Sequence, residues 1–195
     1  MSDRLLGAAL IAAARGAIEA AFGRLDARAR PHAALEEPGA TFVTLEQDGE
    51  LRGCIGSLVA HRRLAVDVRE NALAAAFRDP RFAPLNSREL DVTTVEVSLL
   101  APPAPFEVAD EDDLLSRLVP GVDGIVIELG ARRATFLPQV WESLPDPRDF
   151  VGALKRKAGL PADFWSPEVR VSRYTVARWH EAEFDGELAT DEAKR

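Results

Sequence analysis

The sequence is poor in the residues that build metal centres and disulfide frameworks. Among its 195 residues it has one cysteine, Cys54, and three histidines, which lie far apart in the chain. One thiol cannot form a disulfide within the chain, and it excludes a zinc site built on two or more thiolates. The scattered histidines argue against a His-rich metal site. We therefore predict neither a metal nor a cofactor.

Long apolar runs are also missing. No stretch approaches the roughly 20 apolar residues of a membrane-spanning helix, so we expect no membrane partner. Apolar side chains recur at every third or fourth position over 4–24, which predicts an amphipathic helix rather than a secretory leader peptide. Arg15, Glu19 and Arg24 fall outside this apolar stripe. The expected compartment is the cytoplasm.

Positive charge is in short supply as well. The formal net charge is −8, from 24 Lys and Arg against 32 Asp and Glu. Non-specific binding to duplex DNA needs many basic side chains that neutralise phosphates, so this balance argues against a duplex partner. A small or single-stranded substrate, such as a nucleotide or RNA, fits the acidic balance better, since it needs only a local basic pocket.

Strand signals occur as hairpins along the chain. Asp48-Gly49 is a strong turn signal between two short strands, and a second hairpin is predicted over 124–138. Alternating patterns predict further strands over 92–100 and 169–179. Because the strands do not alternate regularly with helices, we predict the α+β class, with a largely antiparallel sheet flanked by helices.

Helix signals separate these hairpins. Helical spacing covers 64–77, and Asp110 is placed to cap a short acidic helix. A further helix is predicted to begin at Pro147 and to end at a cap formed by Gly159. The acidic segment 185–195 has little apolar content, which predicts a flexible tail.

LRGCIG, at 51–56, is the densest group of residues that could carry chemistry. On a regular strand Arg52 and Cys54 point to the same face. A guanidinium so close to a thiol would favour the thiolate and raise its reactivity, which supports Cys54 as a nucleophile. Gly53 and Gly56 leave room for another backbone or for a ligand.

A structural role for Cys54 is the alternative. With a two-residue turn in the hairpin, Val43 pairs with Cys54. Leu45 then pairs with Arg52, and the thiol shares a face with apolar side chains. Free cysteine is among the most buried residue types and usually behaves as a small hydrophobe. The residues alone leave both interpretations open.

Other candidate residues lie on a strand, in a loop and after a strand. Glu96 and Ser98 occupy the polar face of a predicted strand, where a glutamate can act as a general base. Asp79 and Arg81 lie in a loop of the kind that often carries binding residues, or they form only a surface ion pair. Gln139 follows a strand and could read the edge of a base or an amide.

Several segments resemble the AMMECR domain family and occur in the order expected for it. They are FVTLEQDGELRGCIGSL (42–58), NALAAAFRDPRF (71–82), VEVSLLAPP (95–103), GVDGIVIELG (121–130), TFLPQVW (135–141), KAGLPADFW (157–165) and Tyr174. These segments extend through nearly all of residues 4–184. The combination of LRGCIG, DPRF and FLPQV in this order is quite specific.

The resemblance implies an α+β fold with a larger and a smaller lobe, formed by a single domain over 1–184. It also implies a modification pathway shared with Memo-like and radical-SAM proteins. In that pathway the chain would be an enzyme or enzyme subunit acting on a nucleotide, a nucleic acid or a protein. The alternative is a non-catalytic module that presents substrate to the radical-SAM partner.

Motif positions in the family imply which residues form the site. The implied catalytic residues are Cys54, Arg52 and Glu96. The implied substrate-binding residues are Gly53, Gly56, Ser57, Asp79, Arg81, Ser98 and Gln139. Family members often carry a cysteine in the helix before KAGL, where this chain has Lys155 or Arg156. This departure excludes a two-cysteine redox mechanism within one chain.

Overall fold

A computed structural model describes residues 4–24 and 30–184, so the tail predicted over 185–195 lies outside the described residues. Contacts divide the chain into two units. The first contains the residues up to Leu100 and those from Ala177 onward, and the second is Ala101–Val176. No helix in the described ranges is both long and apolar enough to cross a membrane.

The helices and strands alternate irregularly along the chain. The helices are α1 (Arg4–Ala21), α2 (Leu64–Phe77), α3 (Glu111–Arg117) and α4 (Pro147–Lys157). The strands are β1 (Pro38–Gly39), β2 (Thr41–Gln47), β3 (Glu50–Gly56), β4 (Arg62–Arg63), β5 (Thr93–Leu100), β6 (Ala104–Pro105), β7 (Gly124–Leu129), β8 (Arg132–Phe136), β9 (Arg170–Tyr174) and β10 (Val176–His180). All strand pairs with a described register are antiparallel. The α+β prediction is therefore confirmed.

A four-stranded sheet forms the centre of the first unit, with the strand order β10-β5-β2-β3. Helices α1 and α2 pack against one face, where Val43, Leu45, Val95 and Val97 are fully buried. Because side chains alternate along a strand, the other face carries the partly buried polar side chains of Thr44, Glu46 and Glu96. The two short strands β1 and β4 pair separately.

Helix α1 is more deeply buried than its apolar stripe predicts. Arg15 is only 6% exposed, and Glu19 is also buried. The Arg15 guanidinium forms an ion pair with Glu181 and donates hydrogen bonds to the backbone oxygens of Leu90 and Thr93. The expectation that Arg15 and Glu19 lie outside the buried face is wrong, because a distant carboxylate supplies the partner that a buried guanidinium needs.

The segment predicted as one strand over 169–179 is two strands in different sheets. β9 ends at Tyr174, and β10 begins at Val176. β9 pairs with β6 and β7 in the second unit, whereas β10 lies beside β5 in the first. The prediction is wrong here because alternation along a chain cannot show where the chain passes from one sheet to another.

The second unit has its own sheet, with the strand order β6-β9-β7-β8, and a core rich in aromatic rings. Trp141 stacks on Phe150 with ring centroids 3.7 Å apart, and Phe136 meets Phe150 edge-on at 5.3 Å. Asp110 caps α3 as predicted, accepting a hydrogen bond from the backbone N–H of Asp113.

Candidate functional site

The β2–β3 hairpin contains a β-bulge. Its two-residue turn has backbone φ angles of 52° and 80°, as an Asp-Gly turn requires. Glu46 lies opposite Leu51, but the next residue, Leu45, lies opposite Gly53 rather than opposite Arg52. Arg52 is therefore the extra residue of the bulge, and the predicted pairing of Leu45 with Arg52 is wrong.

The bulge places Cys54 on the face of the sheet away from the helices. Cys54 lies opposite Thr44, so its predicted pairing with Val43 is wrong by one residue. A one-residue shift reverses the face of every side chain beyond it. The thiol thus leaves the face of the buried Val43 and is partly exposed. Its sulfur lies 3.4 Å from the Thr44 hydroxyl, which donates a hydrogen bond to it.

Thr44 lies between Cys54 and Glu96 in one row across the sheet. It is opposite Cys54 on β3 and opposite Glu96 on β5. Since neighbouring strands lie about 4.8 Å apart, the backbones of Cys54 and Glu96 are roughly 10 Å apart. The Thr44 side chain therefore lies between the thiol and the Glu96 carboxylate on this face.

The neighbouring row contains Gly56, Phe42 and Ser98. A Cβ on Gly56 would overlap the Phe42 ring, so the space beside this glycine is taken by an aromatic side chain. Ser98 is 2% exposed, and its hydroxyl has no hydrogen-bond partner among the described residues. The row therefore holds an unsatisfied buried hydroxyl on the same face as Cys54.

Gly53 packs closely against α2, on the face of the sheet opposite to Cys54. A Cβ on this residue would overlap the backbone oxygen of Ala75, which belongs to that helix. Of the two roles predicted for the glycine, room for a backbone or for a ligand, the structure shows the backbone. Close packing of strand and helix therefore requires glycine at this position.

Asp79 and Arg81 hold the outer edge of β3 at Cys54. Asp79 is 4% exposed, and its carboxylate accepts a hydrogen bond from the Cys54 backbone N–H at 2.9 Å. Arg81 donates to both oxygens of Asp79, at 3.0 and 2.7 Å, and to the Cys54 carbonyl at 3.3 Å. Because β3 is an edge strand, these side chains satisfy backbone groups that have no neighbouring strand.

We call Asp79 and Arg81, bound to each other and to the Cys54 backbone, the Asp79–Arg81 clamp, and both of its side chains are charged. The Arg81 guanidinium, through its hydrogen bonds, holds the pKa of Asp79 well below its usual range, although burial acts in the opposite direction. The backbone N–H groups of Cys54 and Arg81 add to the lowering. Asp79 in turn raises the pKa of Arg81. Asp79 therefore acts as a fixed anion that positions Cys54 and does not supply a proton.

Arg52 binds Glu89 instead of supporting the thiol. Its Nε and Nη2 donate to the two oxygens of Glu89 at 2.9 and 3.2 Å, and Nη2 also donates to the Ala83 carbonyl at 3.0 Å. The hydrogen bonds from Arg52 lower the pKa of Glu89 to about 2, against the effect of burial. Arg52 was expected to share a face with Cys54, but it is the extra residue of the bulge, and its guanidinium binds Glu89.

Ser57 belongs to a buried polar network. Its hydroxyl donates to the carboxylate of Asp67 at 2.7 Å, and Asp67 is fully buried. The other side chains that donate to Asp67 are Thr41, Arg62 and Asn71. Asp67 was not among the predicted residues. The signal that could have found it is a carboxylate on the apolar stripe of the predicted helix over 64–77.

Gln139 lies in the second unit, within the 3₁₀ helix Pro138–Glu142. Its side-chain oxygen is buried and has no hydrogen-bond partner in the described part of the chain. Trp141, two residues later, donates to the Asp123 backbone oxygen at 2.8 Å and belongs to the aromatic core. Gln139 is therefore a member of a different unit from Cys54.

The first unit brings together one set of residues that we call the Cys54 site. It consists of Thr44, Cys54, Asp79, Arg81 and Glu96. Within the described ranges, no group of three or more His, Cys, Asp or Glu side chains could hold a metal ion. The chemical groups of the site are a thiol, a hydroxyl, two carboxylates and a guanidinium.

Comparisons with known proteins agree with this architecture. The family model described as AMMECR1 matches residues 11–179. A protein of Methanothermobacter thermautotrophicus is 44% identical over 146 residues, covering 72% of this chain and 74% of that protein. A protein of Thermotoga maritima is 38% identical over 151 residues, covering 76% and 82%. The crystal structure of the uncharacterised protein PH0010 from Pyrococcus horikoshii has a TM-score of 0.70 at 30% identity, covering 90% of this chain and 91% of that one.

Proposed function

This chain belongs to the AMMECR1 family, and from that membership and the Cys54 site we propose an enzyme, or enzyme subunit, whose reacting group is the Cys54 thiol. The observation that carries the proposal is the bulge at Arg52, which brings the thiol out of the apolar core. The thiol is partly exposed and lies in a row with Thr44 and Glu96. A thiol held among polar groups can act as a nucleophile.

In the proposed step, a bond forms between the Cys54 sulfur and an electrophilic carbon of the substrate. The electron pair of the attacked double bond moves to its neighbouring atom, and the Glu96 carboxylate takes up the thiol proton. Asp79 and Arg81 are positioning residues, since they bind the backbone N–H and carbonyl of Cys54. A backbone fixed in this way limits the movement of the sulfur.

The proposal extends to the pathway that the family resemblance implies. We propose that the chain is protein A of an AmmeMemoRadiSam system in the cytoplasm. There it would act with Memo-like and radical-SAM proteins on a nucleotide, a nucleic acid or a protein. A lone unpaired cysteine is compatible with the reducing conditions of that compartment. Co-purification of both proteins with the tagged chain would support this, whereas isolation of the chain without either partner, even after crosslinking, would contradict it.

Alkylation of the native protein with iodoacetamide tests the thiol directly. Because the chain has one cysteine, every thiol adduct seen by mass spectrometry reports Cys54. We expect a rate within about tenfold of that of a free thiol at the same pH, since the side chain is partly exposed. A thiol that is labelled only after unfolding would contradict the proposal, and Cys54→Ala is the control for adducts elsewhere.

A substrate-presenting module is the second candidate, and one observation favours it. The charges of Arg52, Asp79 and Arg81 are all paired within the chain, which is typical of structural support. A presenting module predicts that the complete system keeps its activity when Cys54→Ser replaces the wild type. The enzyme predicts that this activity is lost while the partners still bind.

A further inference from the structure

Arg81 is the cation that the Cys54 site presents to solvent. Its side chain is 52% exposed, whereas the Asp79 carboxylate is buried. Its Nε and Nη2 donate to Asp79, and Nη2 also donates to the Cys54 carbonyl. Among the described residues Nη1 makes no hydrogen bond. An arginine held in this way retains the two N–H groups of Nη1 for a further partner, although Asp79 already balances its charge.

The guanidinium is held beside the thiol by three contacts. The carbonyl of Cys54 lies 3.3 Å from Nη2, and Asp79 fixes the planar fork from the buried side. The Phe82 ring lies 5.4 Å from the guanidinium carbon of Arg81. Because the fork is already ordered, it loses little conformational entropy when it binds an anion.

A second observation on the same sheet face points to a ligand. Ser98 is nine-tenths buried or more, and its hydroxyl has no partner in the part of the chain that the structure describes. Strand alternation directs this hydroxyl to the face that carries Cys54 and Glu96. Buried hydroxyls are normally satisfied, so Ser98 is, among the described residues, an unused hydrogen-bonding group on this face, two strands away from Cys54.

We infer that the substrate of the Cys54 site carries a carboxylate or a phosphate, which Arg81 binds while the sulfur meets the electrophilic carbon. This inference rests on the proposed function and names the substrate class for it. At roughly 7 Å from a guanidinium, and at an effective dielectric constant of about 50, an anion is bound about fivefold more tightly than a neutral group of the same size. Asp79 and Glu96 oppose the attraction, but Asp79 is buried behind Arg81.

Two alkylating reagents of similar size and different charge test the inference. Iodoacetate and iodoacetamide each form a bond between sulfur and carbon, release iodide and leave the thiol proton to solvent. The readout is the ratio of their rates with the native protein, divided by the same ratio for 2-mercaptoethanol. We expect a corrected ratio above one and at most about five for the wild type, and a several-fold lower ratio for Arg81→Gln, in which Asp79 and Glu96 have no cation to balance them.

Two further variants separate charge from structure. Arg81→Lys keeps a cation and should keep part of the preference, whereas Arg78→Gln removes a nearby exposed arginine that pairs with Glu70 and should leave the ratio unchanged. Circular dichroism confirms that each variant is folded. A ratio that is the same in the wild type and in Arg81→Gln overturns the inference.

The outcomes also separate this inference from the proposed function. If iodoacetamide labels the native thiol but the ratio does not depend on Arg81, only the inference fails. If neither reagent labels the native protein, the proposed function fails as well. Where the native thiol is labelled, inorganic phosphate and acetate are compared at equal ionic strength as inhibitors of labelling, which identifies the preferred anion. Stronger inhibition by either one supports the inference if Arg81→Gln removes it, and unchanged inhibition in that variant overturns it.

Discussion

The β2–β3 and β7–β8 hairpins have turns of the same length but differ in the register of their strands. Each connects its strands through a two-residue loop, at 48–49 in the first unit and at 130–131 in the second. The pairing of β7 with β8 is continuous, whereas the pairing of β2 with β3 shifts at Arg52. One extra residue in a strand therefore decides that Cys54 points away from the core.

The edges of the two sheets are also stabilised by different chemistry. At β3, ionised side chains satisfy the backbone, with Asp79 and Arg81 bound to Cys54. At β8, the edge strand of the other sheet, Phe136 packs against Phe150 in an aromatic core, and the exposed Lys157 donates to the Thr135 carbonyl at 3.0 Å. The first unit thus has its buried ion pair where its thiol lies, and its stability there should respond to charge and pH.

Replacing Gly53 should have the largest effect. In Gly53→Ala the new methyl group would overlap the Ala75 backbone oxygen, so we expect a loss of about 3 kcal/mol of unfolding free energy. Gly152→Ala in α4 is the matched control, because its methyl group would make only ordinary contact with Ala162. The control should be neutral or stabilising by about 0.5 kcal/mol. Denaturant unfolding measures both, and equal losses would refute the packing argument.

Neutralising Asp79 should come next. Asp79→Asn removes the charge that holds Arg81 and weakens the bond to Cys54, and we expect a loss of about 2 kcal/mol. The same substitution at Asp91, which pairs with Arg24 in an exposed position, should cost less than about 0.5 kcal/mol. If both variants lose the same unfolding free energy, the clamp contributes no more than a surface ion pair.

Lys155 tests whether the second unit also depends on charge. This lysine is almost fully buried, and its Nζ donates to Glu111 at 2.7 Å and to the Phe164 carbonyl at 3.1 Å. Lys155→Met leaves Glu111 partly buried without its partner, so we expect a loss of about 1.5 kcal/mol by thermal or denaturant unfolding. Arg156→Met, at an exposed position of the same helix, should change stability by less than about 0.5 kcal/mol. A Lys155 variant as stable as the wild type would show that the second unit is held by apolar packing alone.

The smallest expected effect concerns pH. The pKa of Glu89 is about 2 in the folded protein, below the value of about 4.3 for an unperturbed glutamate. A lowered folded pKa stabilises the protein above about pH 4.3, and this contribution is lost as the pH falls through about 2. Glu89→Gln should therefore be less stable at pH 6 by about 1 kcal/mol, a value reduced for solvent screening.

The pH dependence itself is the readout for Glu89. Denaturant unfolding at pH 6, 4, 3 and 2 should show the difference between Glu89→Gln and wild type shrinking toward zero. The wild type still loses stability in acid, because the pKa of Asp79 is lowered in the same sense. A constant difference at all four pH values would show that the Arg52–Glu89 pair does not respond to protonation.

Local patterns in the chain were enough to predict several elements. The helix over 64–77 and the strand over 92–100 agree with α2 and β5 to within one residue, because both patterns report which side chains are buried. The cap at Asp110 was likewise predictable, since a carboxylate at that position satisfies a free backbone N–H of the first turn. Local physics is sufficient for such features.

The candidate site was predictable only as a set of residues. Cys54, Glu96, Asp79 and Arg81 were all expected, but the guanidinium expected beside the thiol was that of Arg52. The partner of Arg52 is Glu89, which lies 37 positions away and belongs to no recognisable pattern. Pairings over such distances depend on how the loop folds back on the strand, and alternation within one strand does not contain that information.

Composition and periodicity thus define an α+β protein with one thiol, placed on a strand after an Asp-Gly turn. Whether that thiol faces the core or solvent is decided only when β3 pairs with β2 and Gly53 packs against α2. A bulge is a property of two strands and their packing, and a shift of one residue reverses the face of every side chain beyond it. The sequence by itself supplies the residue types, whereas the face of the sheet that Cys54 occupies is set by the contacts of β3 with β2 and with α2.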